Sequence, residues 1–230
     1  MKPVEITKRN IMFTQPVAGW GGLPLNMGFI LGEKRNYLID TGLGENSVAP
    51  VIQYIGETKK PLVVINTHVH WDHVWGNHVF ADNLIISHKI CREELDKTWD
   101  EAFEQNKQFA DGIVKKSLPN LTFEDSLYFA DDGIYLFHAP GHTSNCISIY
   151  DEAEKILYVG DAIGDEGQQD IDIIPNIYTT PQMMQETIEK WKNLDFEWCV
   201  IGHNKPHKKD VLSKMEAVLE KAWEAQNKKK

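Results

Sequence analysis

The amino-acid sequence predicts a single α/β domain over residues 1–230, built on mixed β-sheets. Short apolar segments alternate along the chain with stretches whose apolar residues recur at helical spacing. No linker, low-complexity stretch or repeat interrupts this alternation. Several apolar segments also end directly in Asp or His, as strands of α/β proteins do where they carry chemistry.

The first half of the chain predicts a run of strands, followed by helix and strand in turn. A helix with Ser47 as its N-cap and Gly56 as its end is predicted from the apolar spacing over residues 48–55. A helical insertion is predicted over residues 91–116. The apolar segments that predict strands are 11–17, 25–31, 36–39, 62–65 and 84–87.

The second half predicts further strands and two amphipathic helices. One helix is expected to start at Thr180-Pro181, because Thr is a good N-cap and Pro suits the first helical position. The other is expected to run from about Asp210. The predicted strands are 127–130, 134–139, 146–150, 155–159 and 198–201.

The segment from His68 to His73 places four potential metal ligands within six positions, directly after the apolar strand 62–65. In an extended chain alternate side chains share a face, so His68, His70 and Asp72 are expected to point the same way. His73 could join them after one turn. A single His at a strand end is usually a surface residue, but this cluster without a metal would repel itself when protonated. One cation cannot easily take all four groups, which indicates two metal ions.

Three later strand ends carry further ligand types, each after a glycine. His142 follows Pro140-Gly141, Asp161 follows Gly160, and His203 follows Gly202. Glycine allows the close backbone approach that a ligand on a tight turn requires. Each position alone is a weak signal, but together with the 68–73 cluster they predict one metal centre.

The motifs, in this order, resemble the metallo-β-lactamase-fold hydrolase superfamily, and the resemblance covers most of the chain. It implies a four-layer αβ/βα sandwich of two mixed β-sheets, with the site at one edge of the sheets. The residues that carry it are Asp40-Thr41-Gly42, His68-x-His70-x-Asp72-His73, Pro140-Gly141-His142-Thr143, Gly160-Asp161 and Gly202-His203.

The resemblance also implies the ligand set and its partners. Asp40 is implied to orient a ligand His through its distal N–H. Zn²⁺ is the expected metal, while Fe²⁺ and Mn²⁺ suit the same ligands. The implied ligands are His68, His70 and His142 for the first ion, Asp72, His73 and His203 for the second, and Asp161 as the bridge.

This ligand set predicts a dinuclear metal-dependent hydrolase that uses a metal-bridging hydroxide on a small ester, thioester, lactone or amide. Asp72 is expected to act catalytically by accepting a proton when the water reacts. The Asp72-His73 pair and Asp161 are more similar to glyoxalase II and lactonase-type members than to secreted β-lactamases with Cys at the bridging position. Only about 27 residues follow His203, fewer than the glutathione-binding region of glyoxalase II needs, so glutathione thioesters are not expected.

Three other functions remain as hypotheses. A phosphodiesterase or nuclease is possible within the superfamily, but the net charge of −10 disfavours a nucleic-acid partner. A di-iron redox protein would be expected to have an acidic residue in place of His70, together with a flavin domain. A non-catalytic metal-binding module is disfavoured because every ligand position is filled.

Four residues are predicted to line a pocket for a small-molecule substrate. Trp20, on a Gly-rich loop, would be a costly exposed aromatic unless it covers the site. Trp71 is either a pocket wall or a core residue. Tyr178 lies in the segment after the bridging Asp, and Lys205 could meet an anionic group or remain a solvated loop residue.

The cysteines and the N-terminal segment predict a cytoplasmic protein with no membrane partner. Cys91, Cys146 and Cys199 are far apart in sequence and form no CxxC pair, which favours free thiols in a reducing compartment. The first residues lack the apolar run of a signal peptide, and no later stretch predicts a membrane span.

Overall fold

The computed structural model describes residues 3–19, 21–56, 60–165 and 173–227, which form two large mixed β-sheets and a small hairpin. The first sheet has the order β1-β2-β3-β4-β5-β6-β7, antiparallel from β1 to β4 and parallel from β4 to β7. Its strands are β1 (Pro3–Glu5), β2 (Asn10–Pro16), β3 (Pro24–Leu31), β4 (Asn36–Ile39), β5 (Leu62–Ile65), β6 (Leu84–His88) and β7 (Leu121–Phe123).

The second sheet and the hairpin come from the second half of the chain. Five strands of the second sheet are β8 (Ser126–Phe129), β9 (Ile134–His138), β10 (Ile147–Asp151), β11 (Ile156–Tyr158) and β14 (Trp198–Val200). The hairpin is β12 (Ile163–Asp165) with β13 (Ile173–Pro175), and β15 (His207–Lys208) pairs with β14. The order is β15-β14-β11-β10-β9-β8, with β11 and β14 parallel.

Helices cover the outer faces of both sheets. The helices of the described residues are α1 (Glu45–Ile55), α2 (Trp71–Val74), α3 (Lys89–Asn106), α4 (Pro181–Lys192) and α5 (Val211–Asn227). Apolar side chains of α1 pack on the outer face of the first sheet, and those of α4 and α5 pack on the second. Between the sheets lies a core that includes Tyr37 and Ile65 from the first and Leu136 and Ile149 from the second. The layers are therefore helix, sheet, sheet and helix, and the predicted α/β fold with two mixed sheets is confirmed.

Two predicted helix bounds differ from the structure. Helix α1 begins at Glu45, so Ser47 lies inside it, and its hydroxyl accepts a hydrogen bond from the Leu43 N–H (3.1 Å). Ser47 as the N-cap is wrong. In the predicted insertion over 91–116, helix α3 and the short 3₁₀ turn after it end at Phe109, and Gly112 has a φ of +87°, which a right-handed helix cannot continue through. The predicted cap of α4 is confirmed, since the Thr180 hydroxyl accepts from the Met183 N–H (3.2 Å).

The strand directions bring several chain segments to one edge of the sandwich. The parallel strands β4 and β5 both end there, and so do the parallel strands β11 and β14 of the second sheet. An isolated bridge between Leu25 and His203 joins the two sheets at this edge. The residues that follow these strands can therefore meet, as they do in α/β proteins with sites at the carboxyl ends of strands.

Candidate metal centre

The segment after β5 is not one extended strand. Strand β5 ends at Ile65, and the short helix α2 begins at Trp71, directly after His70, whose backbone is extended. Asp72 and His73 are therefore neighbours on a helical turn, and the expectation that His68, His70 and Asp72 share one strand face is wrong. The turn lets Asp72 and His73 face a different part of the centre from the two histidines before it.

Four side chains, here called the first ligand group, bring their ligand atoms within 4.8 Å of one another. Nε2 of His142 lies 3.1 Å from Nδ1 of His70. Oδ2 of Asp161 lies 3.8 Å from Nε2 of His68 and 3.9 Å from Nε2 of His142. The group is His68, His70, His142 and Asp161.

The second ligand group is equally compact and shares Asp161 with the first. Nε2 of His73 lies 3.2 Å from Oδ1 of Asp161 and 3.4 Å from Oδ2 of Asp72. Nε2 of His203 lies 3.4 Å from the Oδ2 atoms of both Asp72 and Asp161. The group is Asp72, His73, Asp161 and His203, so the structure brings together all seven side chains that the sequence predicts as ligands.

Hydrogen bonds at the distal nitrogens fix the orientation of four of the five imidazoles. Oδ2 of Asp40 lies 2.8 Å from Nδ1 of His73, and the Thr67 hydroxyl lies 2.9 Å from Nδ1 of His68. Backbone carbonyls of Asn176 and Pro24 lie 3.1 Å and 2.8 Å from Nδ1 of His142 and His203 respectively. In each of these four rings the bond at Nδ1 leaves Nε2 directed at the centre. Histidines that bind metals are commonly oriented in this way, by a hydrogen bond at the nitrogen that does not bind the metal.

Asp40 holds two parts of the site together. Its carboxylate accepts hydrogen bonds from the Thr67 N–H and the Thr67 hydroxyl, both at 2.8 Å, in addition to its contact with His73. Its φ of +63° lies in the left-handed region, which Asp tolerates better than most residues do. This backbone turn aims the carboxylate of Asp40 back across the end of β5.

Gly202 shows why a glycine precedes His203. A Cβ atom at this position would overlap Oδ1 of Asp161 and lie 2.8 Å from Cε1 of His73. Any other residue would therefore displace the carboxylate that the two ligand groups share.

The charges of the centre differ between its two halves. Burial lowers the pKa of His142 to about 4 and that of His68 well below its usual value, so both rings are neutral at pH 7. Burial would lower the pKa of His203, but the carboxylates of Asp161 and Asp72 together raise it to about 10. Burial would raise the pKa of Asp161, yet the nearby His73 and His203 hold it well below the usual carboxyl range.

The donor set fits divalent cations. Among the described residues, Nε2 of His68, Nε2 of His73 and Oδ1 of Asp161 are buried without a hydrogen-bond partner. Buried polar atoms are rarely left without a partner, because each costs about 1–3 kcal/mol. Imidazole nitrogens and carboxylate oxygens are the ligands that Zn²⁺, Fe²⁺ and Mn²⁺ accept, and these three atoms all face the centre.

The predicted pocket residues lie at different distances from the centre. The ring of Tyr178 packs edge-on against His142 (4.9 Å between centroids) and His70 (5.7 Å), and the residue is 73% exposed. Trp71 stacks on Phe109 (5.2 Å) and is half-buried beside the ligand segment. Lys205 is exposed, and within the described part of the chain its ammonium makes no ion pair. Trp20 lies outside the described residues.

Sequence reasoning did not identify two polar residues that contact the ligand segments. Thr67 lies between Asp40 and His68, and Asn145 contacts the segments that carry His70 and His142. Their positions next to ligand motifs were the available signal, but side-chain hydrogen bonding cannot be read from spacing. Cys91, Cys146 and Cys199 are buried free thiols. None of the described helices has the length and apolar character that crossing a lipid bilayer requires.

A family model described as "Metallo-beta-lactamase superfamily" matches residues 20–203 of this chain. The human acyl-coenzyme A thioesterase MBLAC2 is 27% identical over 165 residues, which cover 61% of this chain and 58% of that protein. An N-acyl homoserine lactonase of a Bacillus species is 30% identical over 114 residues, 48% of this chain and 41% of that protein. The chain thus spans little more than half the length of the curated relatives that it matches first.

The fold is also similar to that of solved structures. The structure titled "Metallo-beta-lactamase from Pontibacter korlensis" superposes with a TM-score of 0.71 at 19% identity, covering 95% of this chain and 98% of that one. At this identity the similarity shows the shared fold alone.

Proposed function

The chain belongs to the metallo-beta-lactamase superfamily, and from this membership and its ligand geometry we propose that it is a metal-dependent hydrolase of small acyl substrates. The substrates in this proposal are thioesters, lactones, esters and amides. The observation that carries the proposal is the pair of four-residue ligand groups that share Asp161. A single structural site would need one such group, whereas two groups with a common carboxylate suit a pair of metal ions.

In this proposal each side chain has a separate task. Asp161 would contribute its carboxylate to both ligand groups. The carboxylate of Asp72, whose Oδ2 lies 3.4 Å from Nε2 of both His73 and His203, would accept a proton. Bound divalent ions, Zn²⁺ by preference, would supply Lewis acidity and lower the pKa of a water to about 7. The first ion would be held by His68, His70 and His142, and the second by Asp72, His73 and His203.

The names of two relatives support a narrower substrate class within this proposal. The human relative is named an acyl-coenzyme A thioesterase, and the Bacillus relative an N-acyl homoserine lactonase. Both names describe hydrolysis at an acyl carbonyl, so thioesters and lactones come before amides among the substrates that we propose. The buried free thiols suit a reducing compartment, and we propose a cytoplasmic location.

A substrate panel on metal-depleted and zinc-loaded protein tests this function. The panel contains an acyl thioester, an acyl homoserine lactone, a p-nitrophenyl ester, an amide and bis(p-nitrophenyl) phosphate. We expect zinc-dependent hydrolysis of an acyl substrate, lost in Asp161→Asn and retained in Asp82→Asn, an exposed carboxylate used as the matched control. Turnover that persists without metal, or in Asp161→Asn, would refute the proposal. Cleavage of the phosphodiester alone would favour the phosphodiesterase alternative instead.

A further inference from the structure

Asn145 joins the two segments that carry the histidines of the first ligand group. Its side-chain oxygen accepts from the Val69 N–H (3.1 Å), between His68 and His70, and from the Thr143 hydroxyl (3.0 Å), beside His142. Asn145 is completely buried, in the loop that links strands β9 and β10. One amide oxygen therefore joins the backbone between His68 and His70 to the side chain of Thr143, which follows His142.

Glu94 determines which way the Asn145 amide faces. Its Oε2 accepts a hydrogen bond from Nδ2 of Asn145, and Glu94 lies on helix α3, outside both ligand segments. An ionised carboxylate only accepts hydrogen bonds, so it requires the amide NH₂ group on its own side. The opposite amide orientation would point NH₂ at the Val69 N–H and leave two donors facing each other. Helix α3 thus fixes the amide through one charge-assisted contact.

We propose that Glu94 and Asn145 are positioning residues that set the geometry of the first ligand group. The proposal rests on the proposed function, because it assumes that this group binds a metal ion. Neither residue donates a ligand atom to either group. They act through the backbone of Val69 and the side chain of Thr143, which lie next to three of the ligands.

The carboxylate of Glu94 and the amide of Asn145 can be swapped between the two positions without changing the net charge of the pair, and this swap tests the proposal. In Asn145→Asp two carboxylates meet at hydrogen-bond distance, so the contact becomes repulsive. This repulsion pushes the loop that carries residue 145 away from helix α3. In Glu94→Gln the amide oxygen can still accept from Asn145. The double variant Glu94→Gln/Asn145→Asp restores the arrangement, because the new amide on helix α3 donates to one oxygen of the new carboxylate while the other oxygen still accepts from Val69.

Zinc affinity, measured by competition with a chromophoric chelator on metal-depleted protein, is the readout. We expect Asn145→Asp to weaken one of two binding steps by about 10–100-fold, as partners of ligand residues do when lost. The double variant should recover at least about tenfold, within the coupling that contacting pairs show. Glu94→Gln should stay close to the wild type, and so should the control Glu93→Gln, an exposed acid on the same helix.

The alternatives give different results. A purely electrostatic role predicts that the extra negative charge of Asn145→Asp tightens zinc binding, and this result would overturn the proposal. A merely structural role predicts equal weakening of both steps without recovery in the double variant, which would overturn it as well. If circular dichroism shows that Asn145→Asp does not fold, Glu94→Ala replaces it, with weakening of one step expected and unchanged affinity contradicting the proposal. A wild type that binds no zinc would refute the proposed function itself.

Discussion

The substitution Asp40→Asn isolates the contribution of one carboxylate that contacts a ligand histidine. Asn tolerates the left-handed backbone of residue 40, so the substitution adds little backbone strain. Its oxygen can still accept from the Thr67 N–H. Its NH₂ group, however, replaces the oxygen that lies 2.8 Å from both Nδ1 of His73 and the Thr67 hydroxyl. His73 then either loses its partner or changes tautomer, which turns a protonated nitrogen towards the centre.

The expected loss follows from this one contact. A hydrogen bond to a charged group contributes about 1.5–3 kcal/mol. Since about 1.4 kcal/mol corresponds to a tenfold change in affinity, zinc binding to the second ligand group should weaken by about 10–150-fold. The hydrogen bond retained from the Thr67 N–H keeps the end of β5 in place, so the first ligand group should be affected less.

Chelator competition on the metal-depleted protein measures this loss, with Asp82→Asn as the exposed control. Thermal unfolding of the same metal-free samples separates metal affinity from folding. Zinc affinity within about twofold of the wild type, far below the loss expected for a partner of a ligand, would refute the role assigned to Asp40.

Three further predictions concern single positions. Gly202→Ala should reduce zinc affinity, because the added Cβ displaces Asp161. Gly56→Ala should leave zinc affinity unchanged, because its added Cβ meets only ordinary contacts. Equal zinc affinities of the two variants would contradict the steric argument. Tyr178→Ala should raise KM for a good substrate more than it lowers kcat, because the exposed ring borders His70 and His142; an unchanged KM would reject its place in the pocket. Asp132→Asn should lower the free energy of unfolding by about 1–3 kcal/mol, because the buried carboxylate accepts from the Tyr37 hydroxyl (2.7 Å). Burial would raise the pKa of Asp132, but its hydrogen bonds hold the pKa below the usual value. The difference in unfolding free energy between wild type and variant should therefore shrink as the pH falls below about 4. Urea titrations measure this difference, and a difference that grows at low pH would contradict the prediction.

The sequence predicted the long apolar strands and the strand-end motifs, because both depend on local spacing. It did not predict the short edge strands β1, β7 and β15 or the hairpin β12–β13, since none of them lies in a long continuous run of apolar residues. The equally short strands β11 and β14 do lie in such runs, and they were predicted. The start of α1 was misplaced because Glu45 and Asn46 precede the apolar spacing, although they are already helical.

In the candidate metal centre, too, features that depend on local sequence could be predicted, whereas features that depend on contacts between distant residues could not. Spacing predicted which side chains would converge, but it assigned His68, His70 and Asp72 to one strand face, although β5 ends at Ile65. Where the chain leaves the strand, the side chains of Asn66 and Thr67 form hydrogen bonds with Asn77 and Asp40. Such contacts join residues that are 11 and 27 positions apart, and the pair of Glu94 and Asn145 is separated by 51. No local pattern contains that information.

The number and position of bound metal ions can be measured in a crystal structure of the zinc-soaked protein, with anomalous scattering recorded at the zinc edge. We expect two peaks about 3.5–4 Å apart, the spacing of paired catalytic metals, with Asp161 contacting both. One peak alone, or peaks away from the two ligand groups, would contradict this expectation.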